Sequence, residues 1–172
     1  VALHTVEPAA AGASLSPAIE SFTPELDERA FRVRLVEQAA AREQGVSLAS
    51  APVVVGGGRG VGSAEGFTLL EELAALLGGA VGGSRVVTNL GWRPHADQIG
   101  QTGTRIAPEL YIACGISGAI QHMVGARGSK QILAINSDPD APIMAKANYT
   151  VAGDLHEVLP ALIAEIKKAK GL

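Results

Sequence analysis

From residue 51 onward, short apolar segments alternate with longer amphipathic ones, and this alternation restricts the fold more than any other feature of the chain. Apolar segments typical of buried strands lie at residues 53–55, 80–81, 110–114, 131–135 and 149–152. Apolar residues at helical spacing follow the first of these segments at 69–77 and the last at 155–166. Strands separated by helices pair in parallel, so the sequence predicts an α/β fold with a doubly wound parallel sheet covered on both faces.

Two of the helices carry residues that could cap their ends. Ser63 is a candidate N-cap for the first helix, and two glycines at 78–79 follow its end. Asp154 is a candidate N-cap for the last helix. Glu157 lies three residues further on, and this spacing predicts a capping box.

Polar side chains follow the predicted strands at the end where a parallel sheet binds its ligands. In doubly wound sheets, ligands lie beyond the carboxyl ends of the strands, where the strand order reverses. The residues in this position are Arg59, Ser84, Arg85, Gln101, Ser117, Asn136 and Asp154. A solvated turn, a core histidine and a helix cap are the alternative interpretations of Arg59, His122 and Asp154.

The segment 110–122 concentrates groups that could bind an anion. A strand, a turn at Gly115 and a helix opening near Ser117 and Gly118 would direct free backbone N–H groups at one point. Gly118 would allow close approach to the backbone, and the loop 98–103 adds amide and hydroxyl groups. The segment therefore predicts a site for a phosphate or a carboxylate.

Other motifs fit the sequence less well. The glycine run 56–62 lacks the register of Gly-x-Gly-x-x-Gly and is not followed by Lys-Ser or Lys-Thr, which disfavours a nicotinamide fingerprint and a phosphate loop. Gly115-x-Ser117-x-Ala119 approximates the nucleophile elbow of serine hydrolases, and His156 follows later in the chain. The sequence has no His-Gly-Gly oxyanion segment, which disfavours hydrolysis.

The composition predicts a soluble globular protein of 172 residues, 47% of them apolar and 18% charged. The net charge of −3 disfavours nucleic acid as a partner, and no apolar run is long enough to insert into a membrane. The single cysteine indicates a reducing compartment, and no signal peptide is predicted. Residues 1–50 are predicted to form an arm with short strands at 1–5 and 31–38.

Five separated motifs resemble those of one family, in unbroken order. They lie at residues 55–60, 83–85, 98–103, 110–122 and 134–143. Together they resemble the C-terminal FAD-binding domain of the electron transfer flavoprotein alpha subunit. The resemblance implies a Rossmann-like FAD-binding domain of the deoxyhypusine-synthase-like NAD/FAD-binding fold over residues 51–172. Residues 1–50 would be the connecting segment, so the family's N-terminal domain would lie outside this chain.

The resemblance also implies contacts with FAD for named residues. Arg59 and Ser84 would lie along the FAD, Arg85 over the isoalloxazine ring, and His122 at flavin O2. Thr102 would lie near flavin N5, with Gln98 and Gln101 alongside. The pyrophosphate would contact Ser117, Gly118 and Ala119, and the adenosine end would contact Asn136 and Asp154. Gly103, Gln121 and Asp138 complete the predicted cofactor-binding set. Gly56 stands where the family often has Ser.

The family resemblance implies an electron carrier rather than an enzyme. Such a protein pairs an alpha with a beta subunit and holds one FAD. It carries single electrons from acyl-CoA and related dehydrogenases of fatty-acid β-oxidation to a membrane quinone oxidoreductase. The implied location is the cytoplasm of a bacterium or the mitochondrial matrix of a eukaryote.

Overall fold

The computed structural model describes residues 18–27, 29 and 46–172. The sheet lies in a compact unit to which the described residues 46–172 belong. Residues 18–27 belong to a second unit, are exposed, and form neither helix nor strand. The strands expected at 1–5 and 31–38 lie outside the described residues, so the domain division at residue 50 stays a prediction.

In the part of the chain that the structure describes, five strands form one parallel sheet. They are β1 (Val53–Gly57), β2 (Ala80–Gly83), β3 (Leu110–Cys114), β4 (Gln131–Asn136) and β5 (Tyr149–Ala152). Every neighbouring pair is parallel, and the strand order is β2-β1-β3-β4-β5. The chain moves outward from β1 to β2 and then returns to the other side of β1, so the order reverses between β1 and β3. The predicted parallel α/β fold is confirmed.

Within residues 46–172, four α-helices connect or follow the strands. They are α1 (Phe67–Leu77), α2 (Arg85–Asn89), α3 (Ile120–Ala126) and α4 (Leu155–Lys170). The short helix α2 was not expected from the sequence. Gly82 and Gly83 are the last residues of β2 rather than part of a turn, and α2 starts two residues after them.

Alternating residues of each central strand enter two separate cores. Val54 and Tyr111 pack in the core on one face, whereas Val55 and Ile112 pack in the core on the other. Helices α1, α2 and α4 supply the second core, and α3 with irregular segments supplies the first. Each large apolar side chain buried in this way contributes about 1.5–3 kcal/mol to folding.

The structure corrects the predicted start of α1 and the predicted capping box of α4. Helix α1 begins at Phe67, and Ser63 Oγ accepts the N–H of Gly66 (3.2 Å), so Ser63 closes the turn before the helix. Asp154 is the N-cap of α4, as predicted, but its carboxylate accepts the N–H of His156 at 2.9 Å. The capping box is wrong, because the N–H of Glu157 donates to the backbone carbonyl of Asp154.

Candidate functional site

A cleft of about 730 Å³ lies beyond the carboxyl ends of the strands, beside the reversal between β1 and β3. The segments that follow β1, β2, β3 and β4 each contribute to its walls, and the loop 98–102 joins them. The predicted site residues that line the cleft are Arg59, Ser84, Arg85, Gln98, Gln101, Thr102, Ser117, Ala119, Gln121, His122, Asn136 and Asp138. The structure thus brings together groups from five separate segments of the sequence.

Three predicted residues do not line this cleft. A Cβ on Gly103 would meet the carbonyl of Gln98, and a Cβ on Gly118 would lie 2.6 Å from the backbone nitrogen of Ile143. Both glycines therefore allow close packing between loops. Asp154 caps α4 and is exposed.

The glycine-rich loop after β1 packs against the turn after β3. A Cβ on Gly58 would meet the carbonyl oxygen of Gly115, and a Cβ on Gly60 would lie 2.7 Å from the Cα of Gly115. Gly115 has a φ of +62°, and the N–H of Gly60 donates to its carbonyl at 3.1 Å. These glycines let two loops touch backbone to backbone at the reversal point.

The helix after β3 begins later than the sequence suggested. Residues 116–119 form a non-helical segment, and α3 starts only at Ile120. The N–H groups of Ser117 and Ala119 donate no hydrogen bond to any residue that the structure describes, and both residues line the cleft. Free N–H groups in a non-helical segment can bind anions, so an anion site here stays a prediction, now on a different local structure.

Side chains from two other parts of the chain fix this segment. Asn136 Nδ2 donates to the carbonyl of Ile116 (3.0 Å), and Lys146 Nζ donates to the carbonyl of Gly118 (2.9 Å). The Asn136 side-chain oxygen also accepts the N–H of Asp138 at 3.0 Å. The backbone of this segment is therefore held at the carbonyls of Ile116 and Gly118 by side chains from other parts of the chain.

Arg59 and Arg85 give the cleft a positive charge. Both are exposed, and neither forms an ion pair with the residues that the structure describes. Asp138 is the acidic residue that lines the same cleft. Two guanidinium groups and free N–H donors match a diphosphate, since arginine binds phosphate oxygens with paired donors.

A chain of three polar side chains orients Thr102. The hydroxyl of Thr88 lies 2.9 Å from Oε1 of Gln98, and Nε2 of Gln98 donates to Oγ1 of Thr102 at 2.9 Å. Because Thr102 accepts this bond, its own hydroxyl proton is left for another acceptor. Thr102 is exposed at the cleft, so that acceptor can belong to a ligand.

His122 is buried at the cleft wall against Tyr111. The hydroxyl of Tyr111 lies 2.7 Å from Nε2 of His122, and both residues are buried. Burial lowers the pKa of His122 to about 4, with the backbone of Ile99 opposing part of that shift. The imidazole is therefore neutral at pH 7.

The geometry gives little support to a serine hydrolase. A nucleophile elbow places Ser on the sharp turn between strand and helix. Ser117 instead lies on the non-helical segment between the turn at Gly115 and the start of α3. His122 engages Tyr111 through Nε2, and His156 occupies the first turn of α4.

Several residues of the cleft were not expected from the sequence. Val86, Ile116 and Ala141 form apolar parts of its wall. Val86 was missed because α2 was not predicted. Tyr111 does not line the cleft but contacts His122, which does. It carried a usable signal, because a tyrosine in a buried strand needs a hydrogen-bond partner for its hydroxyl.

Within the described residues, no group of His, Cys, Asp and Glu could hold a metal ion. Burial raises the pKa of the Cys114 thiol to about 12, which makes this side chain inert at neutral pH. No helix in the part of the chain that the structure describes has the length and apolar character needed to cross a membrane.

The sequence of this chain is similar to the sequences of known proteins. Residues 47–127 match the family described as "Electron transfer flavoprotein FAD-binding domain". The chain is 48% identical over 149 residues to the electron transfer flavoprotein subunit alpha of Thermoanaerobacterium thermosaccharolyticum, an alignment that covers 87% of this chain and 45% of that protein.

This chain belongs to the electron transfer flavoprotein alpha-subunit family.

Further members of the family support the same assignment. The Bacillus subtilis alpha subunit is 49% identical over 155 residues, covering 90% of this chain and 47% of that protein. The mitochondrial alpha subunit of Dictyostelium discoideum is 55% identical over 123 residues, covering 72% of this chain and 35% of that protein. The chain therefore spans less than half the length of these family members.

Proposed function

We propose that this chain binds FAD and acts as the flavin-binding part of an electron carrier, with no bond-making catalysis of its own. The observation that carries the proposal is the convergence of loops from four strands on one cleft at the strand-order reversal. The family match and the charge of the cleft support the same ligand class. FAD joins a planar flavin to adenosine through a diphosphate. The arginine side chains and free N–H groups of the cleft fit the negative charge of that diphosphate.

The residues present fit this cofactor. The neighbouring N–H groups of Ser117 and Ala119 are free within the described part of the chain, and they provide donors for the diphosphate. Arg59 and Arg85 balance its negative charge. The cleft volume of about 730 Å³ is within the usual range for cofactor sites. When bound, the flavin supplies the redox chemistry, and the protein supplies binding, orientation and electrostatics.

Each group in the cleft then has a defined task. Thr102 offers a hydroxyl proton that Gln98 has already oriented, and Arg85 brings positive charge to the same wall. Asn136 and Lys146 keep the backbone carbonyls of Ile116 and Gly118 away from the ligand by engaging them. The remaining free groups are mainly donors, which favours added negative charge on a bound ligand.

The wider role follows from the family. We infer that the chain pairs with an electron transfer flavoprotein beta subunit. Together they would carry electrons from acyl-CoA and related dehydrogenases to a membrane quinone oxidoreductase. Low aromatic content supports a shared site, because only 3% of residues are aromatic and the chain has few rings to cover a flavin. Co-purification of this chain with its genomic beta subunit tests the pairing.

An absorption spectrum of the full chain tests cofactor binding. After incubation with FAD and gel filtration, we expect the protein peak to retain flavin absorbance. Parallel samples with FMN and NADH should retain much less, because neither ligand joins a flavin to a diphosphate. Retention of NADH but not FAD would contradict the proposal. Labelling of Ser117 by a fluorophosphonate would favour the hydrolase instead.

A further inference from the structure

Residues 116–119 lie against the turn that contains Ile143 and Lys146. A Cβ on Gly118 would lie 2.6 Å from the backbone nitrogen of Ile143. The N–H of Ile143 donates to the carbonyl of Ser117 at 3.0 Å, and Lys146 Nζ donates to the carbonyl of Gly118 at 2.9 Å. The N–H of Lys146 donates in turn to the carbonyl of Ile143 at 3.0 Å. One turn therefore engages two consecutive carbonyls of this segment.

The bond from Lys146 fixes the direction of the N–H of Ala119. The carbonyl of Gly118 and the N–H of Ala119 belong to one peptide unit, and no cis peptide bond occurs among the residues that the structure describes. In a planar trans peptide the C=O and the N–H point in opposite directions. The N–H of Ala119 therefore points away from the Lys146 ammonium group. Ala119 lines the cleft whereas Lys146 does not, so the lysine holds this peptide from outside the cleft.

Gly118 makes the orientation of this peptide dependent on such a contact. Its φ of +84° lies in the left-handed region, and glycine has more backbone freedom than other residues. Rotation of the Gly118–Ala119 peptide would exchange its two polar groups, so that a carbonyl oxygen faced the cleft in place of an N–H. A carbonyl oxygen repels an anion that a free N–H attracts. The hydrogen bond from Lys146 opposes this rotation, because the rotation would break it.

We propose that Lys146 is a positioning residue that holds the N–H of Ala119 toward the cleft by binding the carbonyl of the same peptide. It acts through the backbone and does not touch the ligand. The ligand would be an anion, and its identification as the diphosphate of FAD rests on the proposed function. The hydrogen bond itself is a property of this chain alone. A lysine that acted only through its charge would not need this contact.

Carbon-13 NMR of the full chain without ligand tests the contact. Lys146→Met keeps most of the length of the side chain and removes its donor, and Lys146 is exposed, so the core stays intact. We expect the carbonyl signal of Gly118 to move upfield in Lys146→Met, as for loss of a hydrogen bond, and to stay near the wild-type position in Lys146→Arg. Lys168→Met is the matched control, because it removes the same charge from α4, where the Lys168 side chain is 79% exposed. An unchanged Gly118 signal in Lys146→Met, or an equal shift in Lys168→Met, would overturn the inference.

Titration with FAD at low and at high salt then tests the role of the peptide. We expect Lys146→Met to bind FAD about 3- to 10-fold more weakly than wild type, as for loss of one hydrogen bond. Lys146→Arg and Lys168→Met should bind FAD as wild type does. The difference should persist at high salt, because screening weakens the attraction between charges but does not restore a lost hydrogen bond.

Two results of this titration would overturn the inference. A loss of affinity that disappears at high salt would show that Lys146 acts through its charge. Equal affinities of wild type and Lys146→Met would show that the donor does not depend on the lysine. Failure of wild type to bind FAD would instead contradict the proposed function, while the Gly118 signal would still decide whether Lys146 holds the peptide.

Discussion

His122 should make the stability of this protein depend on pH. Its pKa is about 4 in the fold against an ordinary value of 6.5, because the ring is buried. Between these values the unfolded chain binds a proton that the folded chain does not, so the free energy of unfolding falls as the pH is lowered. We expect a contribution of about 2–4 kcal/mol to be lost across this window.

Urea unfolding at several pH values measures this dependence. Wild type should lose more stability than His122→Gln between pH 6.5 and pH 4. His156→Gln is the matched control, because His156 is exposed and should retain the wild-type dependence. If the unfolding free energies of wild type and His122→Gln changed equally with pH, the result would contradict a neutral buried imidazole.

Gly56 is a second residue whose role can be tested alone. Alanine at this position would push its Cβ into the ring of Tyr111 inside a packed core. We expect Gly56→Ala to lower the free energy of unfolding by about 1–3 kcal/mol, the usual cost of overpacking. In Gly153→Ala, the nearest atom would be a Val158 methyl at 3.2 Å, so this control should change much less. Equal losses of unfolding free energy in both variants would show that the Tyr111 ring can move aside to accommodate the methyl group.

At the scale of single elements, the hydrogen bonds that cap the start of α4 differ from those that the sequence predicted. The structure gives Asp154 a capping hydrogen bond to His156 and gives Glu157 no reciprocal one to Asp154. We expect Asp154→Ala to cost about 0.5–2 kcal/mol in urea unfolding. Glu157→Ala should cost only a few tenths of a kcal/mol, as a carboxylate near a helix dipole does. A similar loss of unfolding free energy in both variants would support the capping box instead.

Long periodic segments were the easiest elements to predict from the sequence. The apolar run of β3 and the stripe of α4 predicted those elements closely, because their burial dominates local preference. The strand β5 was also predicted at its observed bounds, although its four residues are exposed. The short helix α2 and the late start of α3 were missed. In both places a glycine that looked like a turn or an anion contact serves packing instead: Gly83 ends β2, and Gly118 faces Ile143.

The same contrast applies to the candidate site. Most polar residues chosen for their position after strands do line one cleft, because parallel topology brings strand ends together. The residues that orient them could not be found this way. Thr88 and Lys146 contact Gln98 and Gly118 from other parts of the chain, through hydrogen bonds that no local pattern encodes.

For the molecule as a whole, the strand-order reversal explains why one site exists. Glycines at 58, 60 and 115 allow the loops after β1 and β3 to pack together, and the cleft opens beside them. Donors from neighbouring loops then face the same space as Arg59 and Arg85. Electrostatic attraction at such an exposed rim is screened by salt, so binding of a dianionic ligand should weaken as ionic strength rises.

A fluorescence titration of FAD against the full chain, Arg85→Ala and Arg127→Ala tests the central claim most directly. Arg85 lines the cleft, whereas Arg127 is exposed just after α3 and does not line it. We expect Arg85→Ala to weaken FAD binding by about 10- to 100-fold, as for loss of a hydrogen bond to a charged group, and Arg127→Ala to match wild type. Equal affinities for all three proteins would contradict binding of FAD in this cleft.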